Sequence, residues 1–351
     1  MISKTVVRWL TLVALVGLSL GVMVPAASAA TSISACPFTI TVPGNYEVTK
    51  NLTAAGTNCI NVETNNVAID LKGHTITGDG THAGITDNGS AVDSVAIGNG
   101  KIKHFHEGIE FDGDCCSNSN LITVEKVELT DNTEDGMFIS GCCNNITDVK
   151  ANKNGDDGVQ VGDCCNVFNK IQANDNAAGE GLEDQDCCST ANQITADRNG
   201  DDGIQVTSCC TGISTSQAND NKGNGINMGS DDESVANVRT NGNTFAGIHI
   251  SSDDSQVTNA TANNNGGDGI DFGSFDESVA DSTANNNGSV GIDVGNSDFN
   301  TVSDATANHN KTGVAIDCPG NVVNVKAHNN TTTNLSETGG TCTELHNSIG
   351  P

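Results

Sequence analysis

A glycine followed by an aliphatic, a polar and a second apolar residue recurs along this chain with a regularity that only a stacked architecture explains. The phrase reads GVQV at Gly158, GIQV at Gly203, GINM at Gly225, GIHI at Gly247, GIDF at Gly269, GIDV at Gly291 and GVAI at Gly313. From Gly181 each step is 22 residues, and looser copies at Gly84, Gly108, Gly136 and Gly181 stand 22 to 28 apart. Such a period means a solenoid. Within one unit apolar and polar residues alternate over three to five positions between clusters of Asn, Asp, Gly and Ser, and no stretch keeps a helical period for three turns. Short period-two strands broken by turns predict an all-β coil. The second and fourth residues of each phrase then point inward and the third outward. Residues one repeat apart become vertical neighbours at about 4.8 Å.

A second ladder keeps the same phase: Asn152, Asn174, Asn219, Asn241, Asn263, Asn285 and Asn308 each follow Ala or Thr, with Asp197 taking the place in one coil. Asparagine tolerates left-handed backbone and can hydrogen-bond along a stack of equivalent turns, so a structural role is expected for it.

Residues 1–30 are set apart from this pattern. Lys4 and Arg8 precede the apolar run WLTLVALVGLSLGVMV, and PAASAA follows, the pattern of a secretory signal peptide cut near Ala29 or Ala30. The remaining chain is expected to be exported, extracellular or periplasmic, without a transmembrane segment after cleavage. It carries 13 basic against 44 acidic groups, a charge of −31, with Tyr46 and nine phenylalanines as its aromatics. That field repels nucleic acid and anionic membranes and attracts cations.

The phrases, the Asn ladder and the stretch NVAIDLKGHTITGDG from Asn66 to Gly80 resemble the secreted right-handed parallel β-helix proteins, the superfamily of pectate lyases and polygalacturonases. The resemblance covers roughly residues 35 to 330. It implies a right-handed parallel β-helix of about 11 coils, with an amino-terminal cap and first coils over 31–80, the helix proper over 81–330 and a carboxy-terminal cap or tail over 331–351. One scaffold of this kind carries many functions.

All fourteen cysteines lie in the exported part, where disulfides persist. Cys36 with Cys59, and Cys318 with Cys342, are each about one coil apart and read as staples at the two ends. Five doublets, Cys115 and Cys116, Cys142 and Cys143, Cys164 and Cys165, Cys187 and Cys188, and Cys209 and Cys210, follow their glycines by six or seven residues and stack at one corner. Disulfides are the expectation for all of them, either between coils or within doublets, and the connectivity stays open. Thiolates holding a soft metal are the alternative. Later coils place Asp231 and Asp232, or Asp253 and Asp254, at this corner, which points to a structural position.

The outward third positions form a ridge of Glu110, Gln160, Glu183, Gln205, Asn227, His249, Asp271 and Asp293. Beside it, just before the glycines, lie Glu107, Asp135, Asp157, Glu180, Asp202 and Asp268. Carboxylates this close repel one another unless protons or cations intervene, and hard oxygen donors favour Ca²⁺. Asp157, Asp202 and Asp268 are the candidate Ca²⁺ ligands, weighed against a solvated face that keeps a secreted rod soluble. In KHFHEGIEFDGD, His104 and His106 stand two apart and on a strand would face one side, a candidate Zn or Cu pair.

The phrase NGDDG resembles the paired-aspartate segment of polygalacturonases, where inverting hydrolysis needs carboxylates roughly 6.5–9.5 Å apart. That family's Gly-His-Gly and Arg-x-Lys segments are missing, as is the Asp-Pro-His-Asp segment of alginate epimerases. Arg198 and Arg239, the two arginines left after export, read as charge-balancing surface residues rather than a lyase base. The leading expectation is a non-catalytic rod that binds extracellular polysaccharide or another surface component, with Ca²⁺ assisting. The alternatives are a polysaccharide lyase or glycoside hydrolase acting on acidic glycans, and a periplasmic metal-handling protein.

Overall fold

The computed structural model describes residues 29–112, 121–162, 165–185, 188–207, 210–229, 233–295 and 299–350. Residues 1–28 of the expected signal peptide, and Cys115, Cys116, Cys164, Cys187, Cys209, Asp231 and Asp232, lie outside the described residues. Among the described residues every regular element is a strand, and every strand pairing is parallel to a strand about one repeat away in sequence. The chain is a parallel β-solenoid. Among the described residues one large sheet has fourteen strands, from Phe38–Ile40 to Thr333–Thr338, the other large sheet has seventeen, and Lys326–Ala327 with Ser348–Ile349 forms a two-stranded third. Fourteen rungs exceed the eleven coils expected, because the first rungs, Phe38–Ile40 and Ile60–Val62, lack the glycine phrase that was counted.

The inward and outward assignment holds along the glycine phrases. Val159–Val161, Ile204–Val206, Ile226–Met228, Ile248–Ile250 and Ile270–Phe272 each alternate buried, part-exposed, buried. Their buried members join Ile213, Val235 and Val257 from the other sheet in one continuous apolar core. Each repeating glycine is required by the closeness of the next coil. A Cβ on Gly203 would lie 2.6 Å from the carbonyl oxygen of Gly225 and 2.6 Å from the side chain of Asn221.

Two asparagine ladders run side by side, where only one was expected. In the expected ladder, Oδ1 of Asn174 accepts the N–H of Asp197 at 2.8 Å, Asp197 accepts that of Asn219 at 2.8 Å, and Asn219 that of Asn241 at 2.9 Å. Two residues further on, Asn132, Asn154, Asn176, Asn199, Asn221, Asn243, Asn265, Asn287 and Asn310 form a buried one. There Asn221 Oδ1 accepts both the N–H and the side-chain amide of Asn199, at 2.8 and 3.2 Å. The left-handed residue is the one between the ladders, such as Lys153, Asp175, Arg198 or Asp220, and not the laddered asparagine.

At the cysteine corner the second member of each described doublet, Cys143, Cys165, Cys188 and Cys210, is left-handed, with φ between 60° and 68°, and exposed. Cys142 is disulfide-bonded while Cys143 is not, which rules out a bond within that doublet. Cys143 and Cys188 stand outside any disulfide, a correction to the expectation that the corner pairs throughout: the left-handed backbone turns these side chains to solvent. The end staples form as expected, Cys36–Cys59 with Cα atoms 4.5 Å apart and Cys318–Cys342 with 4.9 Å.

Candidate functional site

The ridge exists as a vertical row on the fourteen-stranded sheet. Gln160 is in register with Glu183, Glu183 with Gln205, Gln205 with Asn227, Asn227 with His249, His249 with Asp271 and Asp271 with Asp293. Glu110 belongs to the same row but is parted from Gln160 by Phe138, the outward residue of a coil whose phrase is GMFI. The working ridge therefore starts at Gln160.

Neighbouring ridge groups are hydrogen-bonded to one another. Gln160 and Gln205 both donate their side-chain amides to Glu183, the latter at 3.2 Å, and Asn227 donates to Asp202 at 2.7 Å. His249 Nδ1 lies 2.7 Å from Asp271 Oδ2, and this hydrogen bond holds the imidazole above its usual range. Alternation of amides and an imidazole with the carboxylates is what lets so acidic a row stack.

The stripe beside the ridge has a structural duty that the sequence did not announce. Asp135 accepts the backbone N–H of Asp157 at 2.9 Å, Asp157 that of Glu180 at 2.6 Å, and Asp268 that of Val290 at 2.5 Å. Asp202 accepts the N–H of Asn224 in the same way. These groups are buried more deeply than a solvated face would be: Asp157 and Asp202 are each 4% exposed. Burial raises the Asp135 carboxyl to about 7. Burial and the Glu180 carboxyl together raise Asp157 to about 10, so Asp157 keeps its proton at neutral pH.

Two groups of three carboxylates converge here. Asp157, Glu180 and Glu183 each bring an oxygen within 4.8 Å of the others, as do Asp268, Asp271 and Asp293. The first spacing is tighter than the roughly 6.5–9.5 Å that an inverting water needs. In the second group, burial and the charges of Asp271 and Asp268 push Asp293 up to about 6. Asp202, the third proposed ligand, is in neither group.

His104 and His106 do not form the expected strand-borne pair. Their strand, Val95–Lys103, ends before them, and His104 adopts a left-handed turn conformation. His106 instead lies 3.1 Å from Glu107 and 3.9 Å from Glu134. Among the described residues neither histidine joins a three-donor cluster. Arg198 is paired with Asp175 through two bonds of 2.7 and 2.9 Å, the surface charge balance expected of it.

Sequence reasoning also missed three exposed aromatic rings. Phe245, Phe275 and Phe299 are 59%, 57% and 68% exposed. Phe245 precedes the ridge strand Ile248–Ile250, whereas Phe275 and Phe299 follow Ile270–Phe272 and Val290–Val294 at the cysteine corner. Phe275 and Phe299 thus follow the strands that carry Asp271 and Asp293, and Phe245 precedes the strand one coil earlier. Their signal was a phenylalanine in a turn rather than at an inward strand position.

Residues 202–349 match the family model described as the right handed beta helix region. No curated protein matches the chain in sequence. Among solved structures, an A-module of an Azotobacter vinelandii mannuronan C-5 epimerase aligns at 15% identity over 88% of this chain and 89% of that one, with a TM-score of 0.46. A pectate lyase aligns at 15% identity over 77% of this chain and 70% of that one, with a TM-score of 0.38. The catalytic unit of an α-1,3-glucanase from Streptomyces thermodiastaticus aligns at 15% over 87% and 62%, with a TM-score of 0.34.

Proposed function

Taking the chain as a right-handed parallel β-helix, we propose that it acts on an extended acidic polysaccharide laid along the ridge from Gln160 to Asp293. The observation that carries this reading is the unbroken register of outward polar side chains, one per rung. A rung spacing of roughly 4.8 Å is comparable to the advance per sugar in an extended chain, so successive sugars meet equivalent groups. Phe245, Phe275 and Phe299 offer apolar faces for sugar rings at the ridge borders.

An anionic polymer needs a bridging cation against this surface. Asp268, Asp271 and Asp293 would hold Ca²⁺, since they supply convergent hard oxygens and the bound charge would relieve the repulsion that raises Asp293. A specific observation favours cleavage over binding alone. Asp157, Glu180 and Glu183 converge too closely for an inverting water, but burial and the Glu180 carboxyl raise Asp157, and close carboxyl groups with divided proton affinities suit a retaining reaction.

The test is retention on immobilised polygalacturonate and alginate with Ca²⁺ and with chelator, followed by analysis of released oligosaccharides. Retention with Ca²⁺ that is lost on Asp271→Asn supports the ridge. Released fragments that disappear on Glu180→Gln make the protein an enzyme, and retention without fragments makes it a binding rod. No retention and no fragments under either condition would end the reading.

A further inference from the structure

The ridge lies on one sheet; the concave bend of the other carries a trough of its own. This trough, of about 420 Å³, crosses four coils and is lined among others by Gln193, Thr215, Gln217, Asn237, Arg239 and Thr261. Gln193, Thr215, Asn237 and Asn259 are the left-handed residues at which the sheet bends, which is why a concave surface forms there. Vertical register continues across it, from Thr195 to Gln217, Arg239 and Thr261.

Its lining contains no acidic residue, although the exported chain carries 44 acidic against 13 basic groups. Arg239 is exposed at its centre, and among the described residues no carboxylate makes an ion pair with it. Three other cations of the rod are paired, whereas Lys103 and Lys150 on strands of this sheet share with Arg239 the lack of an ion pair among the described residues. Arg198 is occupied by Asp175, Lys170 by Asp148 at 2.9 Å, and Lys101 by Glu128 at 2.6 Å. Asp197, which bonds the trough residue Gln217 at 2.7 Å, is also engaged by Asn219 at 2.9 Å. A second cavity on the same sheet, toward the amino terminus, differs in kind: Glu47, Asp70 and Glu125 line it, and its Lys72 lies 3.3 Å from Asp70 and 3.5 Å from Glu47.

We propose that the Arg239 trough is a second glycan-binding surface, which takes a short stretch of a carboxylate-bearing oligosaccharide without calcium. Amide and hydroxyl side chains at one-rung intervals match sugar hydroxyls, and the planar guanidinium takes a uronate carboxylate through paired hydrogen bonds. Three rung steps span roughly 14 Å, enough for about three sugars. The class of polymer is the one read for the ridge, but the surface, the charge logic and the metal dependence are separate. A rod with both surfaces occupied would hold two chains of the polymer at once.

The experiment titrates a galacturonate hexamer, with chelator present throughout, into the exported chain by calorimetry and ligand-observed NMR. Binding is expected for the unmodified protein. Arg239→Ala should weaken it about tenfold or more, the scale of a lost charge-assisted bidentate contact, and Arg239→Lys should fall between. The melting temperature of Arg239→Ala should stay unchanged, as the side chain is exposed and unpaired. Asp271→Asn should leave binding in chelator intact while it removes calcium-dependent retention on the ridge. Absence of hexamer binding in chelator, equal binding by Arg239→Ala, or loss of that binding on Asp271→Asn would each overturn the trough. Loss of the calcium-dependent retention alone would count against the ridge and leave the trough standing.

Discussion

The residue whose chemistry is most at odds with its place is Glu277. It follows the left-handed Asp276 at the cysteine corner, where equivalent coils bury Asn144, Asn166, Ser189, Thr211, Ser255 and Asn300. Its side chain is 1% exposed, and neither carboxylate oxygen has a well-formed hydrogen bond. Burial, with the charges of Asp253, Asp254 and Asp276 adding to it, raises its carboxyl to about 9 against the partial opposition of the Ser255 amide. The folded form therefore binds this proton more tightly than the unfolded chain. Below pH 4.5 both states are protonated and the stability is complete; as pH climbs from there toward 9, only the unfolded chain ionises and stability drains away. Glu277→Gln, a neutral isostere, should be indistinguishable from the parent at pH 4 and more stable at pH 8 by up to about 4–5 kcal/mol, the linkage difference between pH 4.5 and 8. Urea unfolding at the two pH values measures this, and an equal effect at both would mean that Glu277 is not a buried acid. Nothing in the sequence marked this residue, because a glutamate one place after an exposed aspartate reads as surface.

At the scale of the element, the strands were legible and the turns only half so. Inward and outward positions follow from alternation alone, since a one-residue slip would expose Ile204 and Val206 together, and both are buried. The outer asparagine ladder was visible for the same reason, a residue type repeating in phase. The inner ladder repeats as regularly in ANKN, ANDN, TNGN and ANNN, yet repetition does not say which asparagine faces the core. That depends on the left-handed residue between them, a backbone property with no single residue type: Lys153, Asp175, Arg198 and His309 all adopt it. The two ladders should differ in energy accordingly. Asn221→Ala strands the Asn199 amides and the carbonyl of Ala196 in the core, at a cost of about 2–4 kcal/mol. Asn219→Ala removes the acceptor for the Asn241 N–H at a part-exposed site where water substitutes, at a cost of about 1 kcal/mol or less. Unfolding of the two variants side by side checks the order, and a larger loss for Asn219→Ala would contradict it.

For the whole molecule, a stack in which each rung touches only its neighbours concentrates weakness at its ends, because a terminal rung has one partner and a bare strand edge. The sequence showed the period, but it undercounted the rungs: 31–80 and 331–351 contribute strands without the glycine phrase, and Cys59 stands directly before Ile60–Val62 where later coils have glycine. The two confirmed staples sit in these regions. Cys36–Cys59 ties the segment before Phe38–Ile40 to that before Ile60–Val62, and Cys318–Cys342 ties the last rungs. Each closes a loop of about one coil, for which chain entropy alone gives roughly 3 kcal/mol. In a nearest-neighbour stack that energy acts locally, so removing it should not be shared along the rod. Replacing Cys36 and Cys59 with serine should therefore abolish hydrogen-exchange protection in Phe38–Ile40 and Ile60–Val62, while Ile204–Val206 and Ile226–Met228 keep theirs. A uniform loss of protection over all rungs would mean that the rod unfolds as one cooperative body. The amino-terminal staple would then set the stability of the ridge and the trough, more than a hundred residues away from it, instead of sealing one end.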